Sequence, residues 1–239
     1  MAISLIGAAY VFLIAVVVPR AAFASNRSLS KGIDVPPPRK LLAGALVSQL
    51  LLGALAVGTA YAEGIILFPM PRPGTSDVLW SLALLTSALA LIPLRWRQAT
   101  DEDKSRLAML IPRGAGDLPL WVGVSLAAGV GEEIIYRGVL FQILDRLFAP
   151  AGWPWWPAAT VTAGVFALGH IVQGRAAVAI VFVFALAFQG LVWQTGDLYG
   201  AMAVHFTYDL TAGIVLWRLM RPRGPESVVI GRSPAQGDG

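Results

Sequence analysis

The sequence predicts an all-α, polytopic transmembrane helical bundle of about seven spans, with eight as the alternative count. Three observations predict it. Of 239 residues, 56% are hydrophobic and only 13% charged, and the mean hydropathy is +0.69. A soluble domain of this length needs a more polar surface. Apolar runs of roughly 17–25 residues recur along the whole chain, as bilayer-crossing helices require. The alternating ten-residue segments of a membrane β-barrel are not seen.

Element by element, the expected spans are residues 3–18, 41–62, 78–94, 118–146, 154–173, 176–194 and 198–219. Between them lie the breakers VPPPRK at 35–40, FPMPRPGTSD at 68–77 and APAGWPWWP at 149–157. The chain divides into an N-terminal transmembrane region (1–117), a helical core (118–219) and a Gly/Pro/Ser-rich tail (220–239) expected to be disordered. Ala22-Phe23-Ala24 resembles a small-residue cleavage site. No positive charge precedes the first apolar run, however, and an uncleaved first helix is the expectation. Trp153, Trp155 and Trp156 suit an interfacial aromatic belt.

Charge sets the orientation. With the N-terminus outside and the C-terminus inside, fifteen of the 18 Lys and Arg fall on the inner side. Only Arg72 and Arg146 lie outside, and Arg137 lies within a span. That asymmetry is the positive-inside pattern. It also gives the pI of about 9.8 a source other than nucleic acid, which is not expected as a partner. The absence of cysteine excludes disulfides, thiol nucleophiles and thiolate metal sites.

Within the last four spans the ionisable residues buried by position are few: Glu132, Glu133, Arg137, His170, His205 and Asp209. Both histidines of the protein are among them. Charged groups at a helix centre cost about 2.5–3.5 kcal/mol each on insertion scales, so their presence marks a functional site. In an α-helix Glu133 and Arg137, four apart, share a face and can pair. Glu132 is turned about 100° away and is left as a free carboxylate. His205 and Asp209 are also four apart, so Asp209 can orient the imidazole or share a ligand with it. Glu132 and His170 flank the Pro/Gly turn near residue 151 and are expected at similar depth.

Two carboxylates and two histidines from three helices suit water activation: one carboxylate takes a proton while imidazoles stabilise an oxyanion or protonate the leaving amine. The same Glu132, His170, His205 and Asp209 could hold Zn2+ or another divalent metal with an open position for water. Either route is hydrolysis, most naturally of a peptide bond.

The motifs EEIIYRG, FALGH and HFTYD resemble, in order, the EExxxR, FxxxH and HxxxN/D motifs of the CPBP intramembrane proteases. That family is also called CAAX prenyl endopeptidase type 2 or the abortive-infection (ABI) family. TGDLYGAMAVHFTYD further resembles its approach to the last histidine, and the likeness covers about residues 118–215. The resemblance implies an intramembrane endopeptidase, of metallo- or glutamate type. Glu132 would activate water, Glu133 and Arg137 would support it, and His170 and His205 would be site histidines. Asp209 stands where Asn is frequent. The implied substrate is a membrane-anchored protein or peptide cut near its C-terminus.

HExxH is absent, which disfavours zincin-like proteases, and Ser125 lacks a GxSG context. Tyr208-Asp209 and Gly196-Asp197 resemble pieces of aspartyl intramembrane proteases but in reversed order. The alternatives of another class are a proton-coupled transporter, since Glu/His/Asp chains also move protons, and a non-catalytic membrane scaffold. The Ala/Gly/Arg-rich composition suggests a bacterial inner (plasma) membrane. Oligomeric state is not legible.

Overall fold

The computed structural model describes residues 3–31, 36–69 and 74–220, and among these there is no β-strand. The expected disordered tail falls, from residue 221 onward, outside the described residues. So do Arg72, Arg221, Arg223 and Arg232 of the charge asymmetry.

The helices, in chain order, are α1 (Leu5–Phe12), α2 (Val18–Ser30), α3 (Pro38–Ala62), α4 (Thr75–Gln98) and α5 (Asp101–Leu110). After them come α6 (Leu118–Glu132), α7 (Phe141–Phe148), α8 (Trp156–Gly169), α9 (Arg175–Thr195) and α10 (Tyr199–Met220). A π turn, Leu13–Val17, joins α1 to α2, and a longer π segment, Glu133–Leu140, joins α6 to α7. Among the described residues, five continuous stretches are long and apolar enough to cross a bilayer: Leu5–Leu29, Pro38–Ala62, Thr75–Gln98, Ala115–Ala151 and Arg175–Thr195. Two of the seven expected spans fall short of that standard, for different reasons. Trp156–Gly169 is apolar but has only 14 residues, about 21 Å at 1.5 Å per residue. Tyr199–Met220 has 22 residues, but His205, Thr207, Asp209, Thr211 and Arg218 lower its apolarity. The first stretch is longer than expected and runs on through Ala22-Phe23-Ala24 as helix.

Local chemistry sets several ends. Ser4 caps α1, its hydroxyl accepting from the Gly7 amide at 3.2 Å. Glu63, just past α3, accepts from the amides of Ser4 and Gly7 and from the Ser4 hydroxyl. One carboxylate thus satisfies orphan donors of α1 and ties its start to the end of α3. Thr100 and Asp103 form a reciprocal capping box at α5. Gly196, at φ 72°, closes α9 in the left-handed conformation.

The outside of the bundle is apolar, and a charged pair is buried within its apolar interior. Leu5, Leu51, Ile66 and Val183 are each more than 60% exposed, whereas Glu133 is 0% and Arg137 3% exposed. A surface of this kind suits hydrocarbon as its solvent. The chain is an integral multi-pass membrane protein. Its main core gathers Ile14 of the first stretch, Ala56 of α3, Ile135 and Leu140 of the π segment, and Ala159 and Phe166 of α8. Helix α6 packs between α3 and α10.

Small residues allow those approaches. A Cβ at Gly53 would lie 3.6 Å from the Gly131 Cα, and one at Gly129 only 2.6 Å from the Phe206 amide nitrogen. At Gly129 the obstacle is backbone, which cannot rotate away. Gly129→Val is therefore expected to push α10 off α6 and destabilise the protein by about 1–3 kcal/mol. Because Phe206 adjoins His205, activity should fall more than stability alone explains. Thermal unfolding in detergent beside a rate assay checks this.

Candidate active site

The three motifs come from three places in the bundle. EEIIYRG spans the end of α6 and the start of the π segment, His170 terminates α8, and His205 and Asp209 lie on α10. The structure corrects the α-helical geometry expected through 118–146. From Glu133 to Leu140 the backbone is a π-helix, with the Phe141 amide bonded back to the Tyr136 carbonyl. π segments are rare and concentrate at functional sites. The buried Tyr10 hydroxyl donates to the Ile135 carbonyl at 2.9 Å, giving this widened backbone a partner from the first helical stretch.

Glu133 and Arg137 do pair, with Arg137 Nη1 donating to Glu133 Oε1 at 3.1 Å. The guanidinium lies over the rings of Phe166 and Phe188, at 4.5 and 5.4 Å from their centroids. Its Nη2 reaches the Ala185 carbonyl at 3.5 Å. The same Glu133 Oε1 lies 2.7 Å from His205 Nδ1, while Oε2 has no partner among the described residues.

Glu132 is not the partnerless carboxylate expected from the sequence. Its Oε1 accepts a hydrogen bond from Gln49 Nε2 of α3, and its Oε2 lies 3.7 Å from His205 Nε2. Both acids therefore face one imidazole, from opposite ring nitrogens. His205 stands between them, so a 100° rotation does not leave Glu132 alone. Of the two roles open to Asp209, orienting the imidazole or sharing a ligand with it, the first has a nearer competitor in Glu133. Asp209 Oδ2 is 3.5 Å from His205 Nε2, too long for a strong hydrogen bond. Glu133, at 2.7 Å from Nδ1, holds the ring instead.

His170 makes no direct hydrogen bond to this cluster among those described. Its Nδ1 lies 2.9 Å from the Phe166 carbonyl. A carbonyl can only accept, so Nδ1 carries the proton and Nε2 is left free. The Phe166 ring packs on the imidazole with centroids 4.6 Å apart and meets Tyr136 edge-on. Tyr136 and Phe166 thus act in packing.

A cavity of about 120 Å3 is lined by Glu133, Arg137, His170, His205 and Asp209, with the apolar walls Ile180, Val181, Phe184 and Phe188. A second, of about 340 Å3, is lined by Ser48, Gln49, Glu132, Tyr136 and His170. His170 and Gln173 border both. The six expected residues therefore surround two adjoining chambers with His205 between the acids. Sequence reasoning missed Gln49. Its signal was an amide side chain inside the apolar run 41–62.

The fit to a metal is poor in this arrangement. Among the described residues no three His, Asp or Glu side chains converge on a point where an ion could sit.

Residues 114–211 match the family model described as Type II CAAX prenyl endopeptidase Rce1-like. No curated protein and no solved structure matched the chain. The matched segment carries all three motifs and every ionisable side chain that lines the smaller chamber. Residues 114–211, under half of the chain, are therefore similar to the Rce1-like type II CAAX prenyl endopeptidase family.

Proposed function

We propose that the protein is an intramembrane endopeptidase that hydrolyses a peptide bond of a membrane-anchored protein or peptide near its C-terminus. Glu132 serves as general base. The observation that carries this reading is the meeting of Glu132 Oε2 and Asp209 Oδ2 near His205 Nε2, at 3.7 and 3.5 Å, while Glu133 holds Nδ1.

In this mechanism Glu132 Oε2 takes a proton from water as the water oxygen bonds to the scissile carbonyl carbon. His205, carrying a proton on both nitrogens among the three carboxylates that face it, donates from Nε2 to the oxyanion that forms, while His170 borders the site with an Nε2 able to accept. The C–N bond then breaks, and the proton held by Glu132 passes to the leaving amine. Glu133, paired with Arg137, holds His205 Nδ1 and so fixes the orientation of the ring. The apolar wall of Ile180, Val181, Phe184 and Phe188 suits a substrate that arrives from the bilayer. The Ala/Gly/Arg-rich composition supports placing the protein in a bacterial inner membrane.

The test is cleavage of a lipid-anchored C-terminal reporter peptide in liposomes by the wild type and by Glu132→Gln. Equal activity in both would sink the role of Glu132. Proton-driven uptake without cleavage would favour the transporter reading instead. The metal question has its own readout. Activity should survive chelator treatment within about two-fold, with no stoichiometric metal in the purified protein. Loss on chelation and recovery with Zn2+ would return the metal to the mechanism.

A further inference from the structure

We infer that Gln49, outside the matched family segment, is a positioning residue that fixes the orientation of the Glu132 carboxylate toward His205. The inference rests on the proposed role of Glu132 as base.

Gln49 belongs to α3, and the family match begins at residue 114. Its Nε2 donates to Glu132 Oε1. The direction is chemically forced, since an ionised carboxylate only accepts and the amide must present its NH2. With Oε1 held, Oε2 is the oxygen left 3.7 Å from His205 Nε2. A carboxylate without this restraint can turn about its terminal torsion, which is broad and roughly two-fold. Gln49 removes that freedom at the atom proposed to take the proton.

The arrangement also leaves a polar atom unsatisfied. Gln49 Oε1 is buried and has no partner among the described residues, while Gln49 and Glu132 line the same 340 Å3 chamber. Leu or Met would fill the position without orphaning an oxygen, so packing alone does not call for an amide here. Helix docking alone does not call for it either. The Gly53–Gly131 approach, so close that a Cβ on Gly53 would stand 3.6 Å from the facing Cα, already brings α3 against α6.

The test compares wild type, Gln49→Met, Gln49→Glu and Glu132→Gln in liposomes, using a quenched fluorescent lipid-anchored peptide that the wild type cleaves. Gln49→Met should lower kcat about 10–100-fold, the scale of a misplaced reacting group, with KM and melting temperature nearly unchanged. Gln49→Glu should lose at least as much, because it sets a second carboxylate against the first. A second readout needs no turnover: the infrared carboxylate band that disappears in Glu132→Gln should shift in Gln49→Met. A kcat within two-fold of wild type, or an unshifted band, overturns the inference. So does a rate loss matched by a fall in melting temperature, which would mean that Gln49 only docks α3. If Glu132→Gln itself retains full activity, the proposed mechanism fails. If it is inactive while Gln49→Met is normal, only the positioning role of Gln49 fails.

Discussion

Glu132→Gln is expected to lower kcat by about 10²–10⁴-fold, the range for loss of a general base, while the protein keeps its melting temperature. The substitution keeps the shape of the side chain, and its carbonyl oxygen can still accept from Gln49. What it removes is a lone pair basic enough to take a proton from water. The neighbouring substitution should behave differently. Glu133→Gln leaves Glu132 in place but weakens the hold on His205 Nδ1 at 2.7 Å and on Arg137 at 3.1 Å. Because Glu133 is 0% exposed, it should lower stability as well as rate. Rate assays and thermal melts on both variants separate the two acids. Similar stability loss in both, or a more active Glu132→Gln than Glu133→Gln, would reverse the assignment.

The legibility of these residues in the sequence followed the range of the interactions involved. The helical membrane class was readable because long apolar runs must satisfy their backbone within the segment. The Glu133–Arg137 pair was readable because its spacing is local. Glu132 was misread as free for two reasons, both non-local. Its hydrogen-bond partner, Gln49, lies 83 residues away. His205 also inserts between the two acids, a consequence of α6 and α10 touching at Gly129 and Phe206. The π segment at 133–140 was hidden because it depends on tertiary support, including the Tyr10 hydroxyl on the Ile135 carbonyl. Asp209 looked like a candidate orienting acid because it is four residues from His205. An acid from another helix, Glu133, sits closer to the ring. Spacing ranks neighbours on one helix and is blind to competitors from the next.

Arg137→Leu should be among the most destabilising single changes, at about 3–5 kcal/mol, the scale for breaking a buried ion pair from one side. The guanidinium is 3% exposed, sandwiched between Phe166 and Phe188, and it faces a carboxylate with no access to solvent. Its removal leaves Glu133 charged and buried with only His205 to offset it, since Glu133 Oε2 has no partner among the described residues. The double variant Glu133→Leu/Arg137→Leu discriminates a structural pair from a functional one. Replacing both charges with apolar side chains removes the uncompensated ion, so most of the lost stability should return. Activity should not return with it, because His205 Nδ1 then has no acceptor and the ring is free to turn. Melting temperatures and kcat for wild type, Arg137→Leu and the double variant in one detergent give the comparison. A double variant that regains both would mean that the pair only holds helices together. A double variant that is stable and inactive is the result expected if the buried charge exists to aim an imidazole.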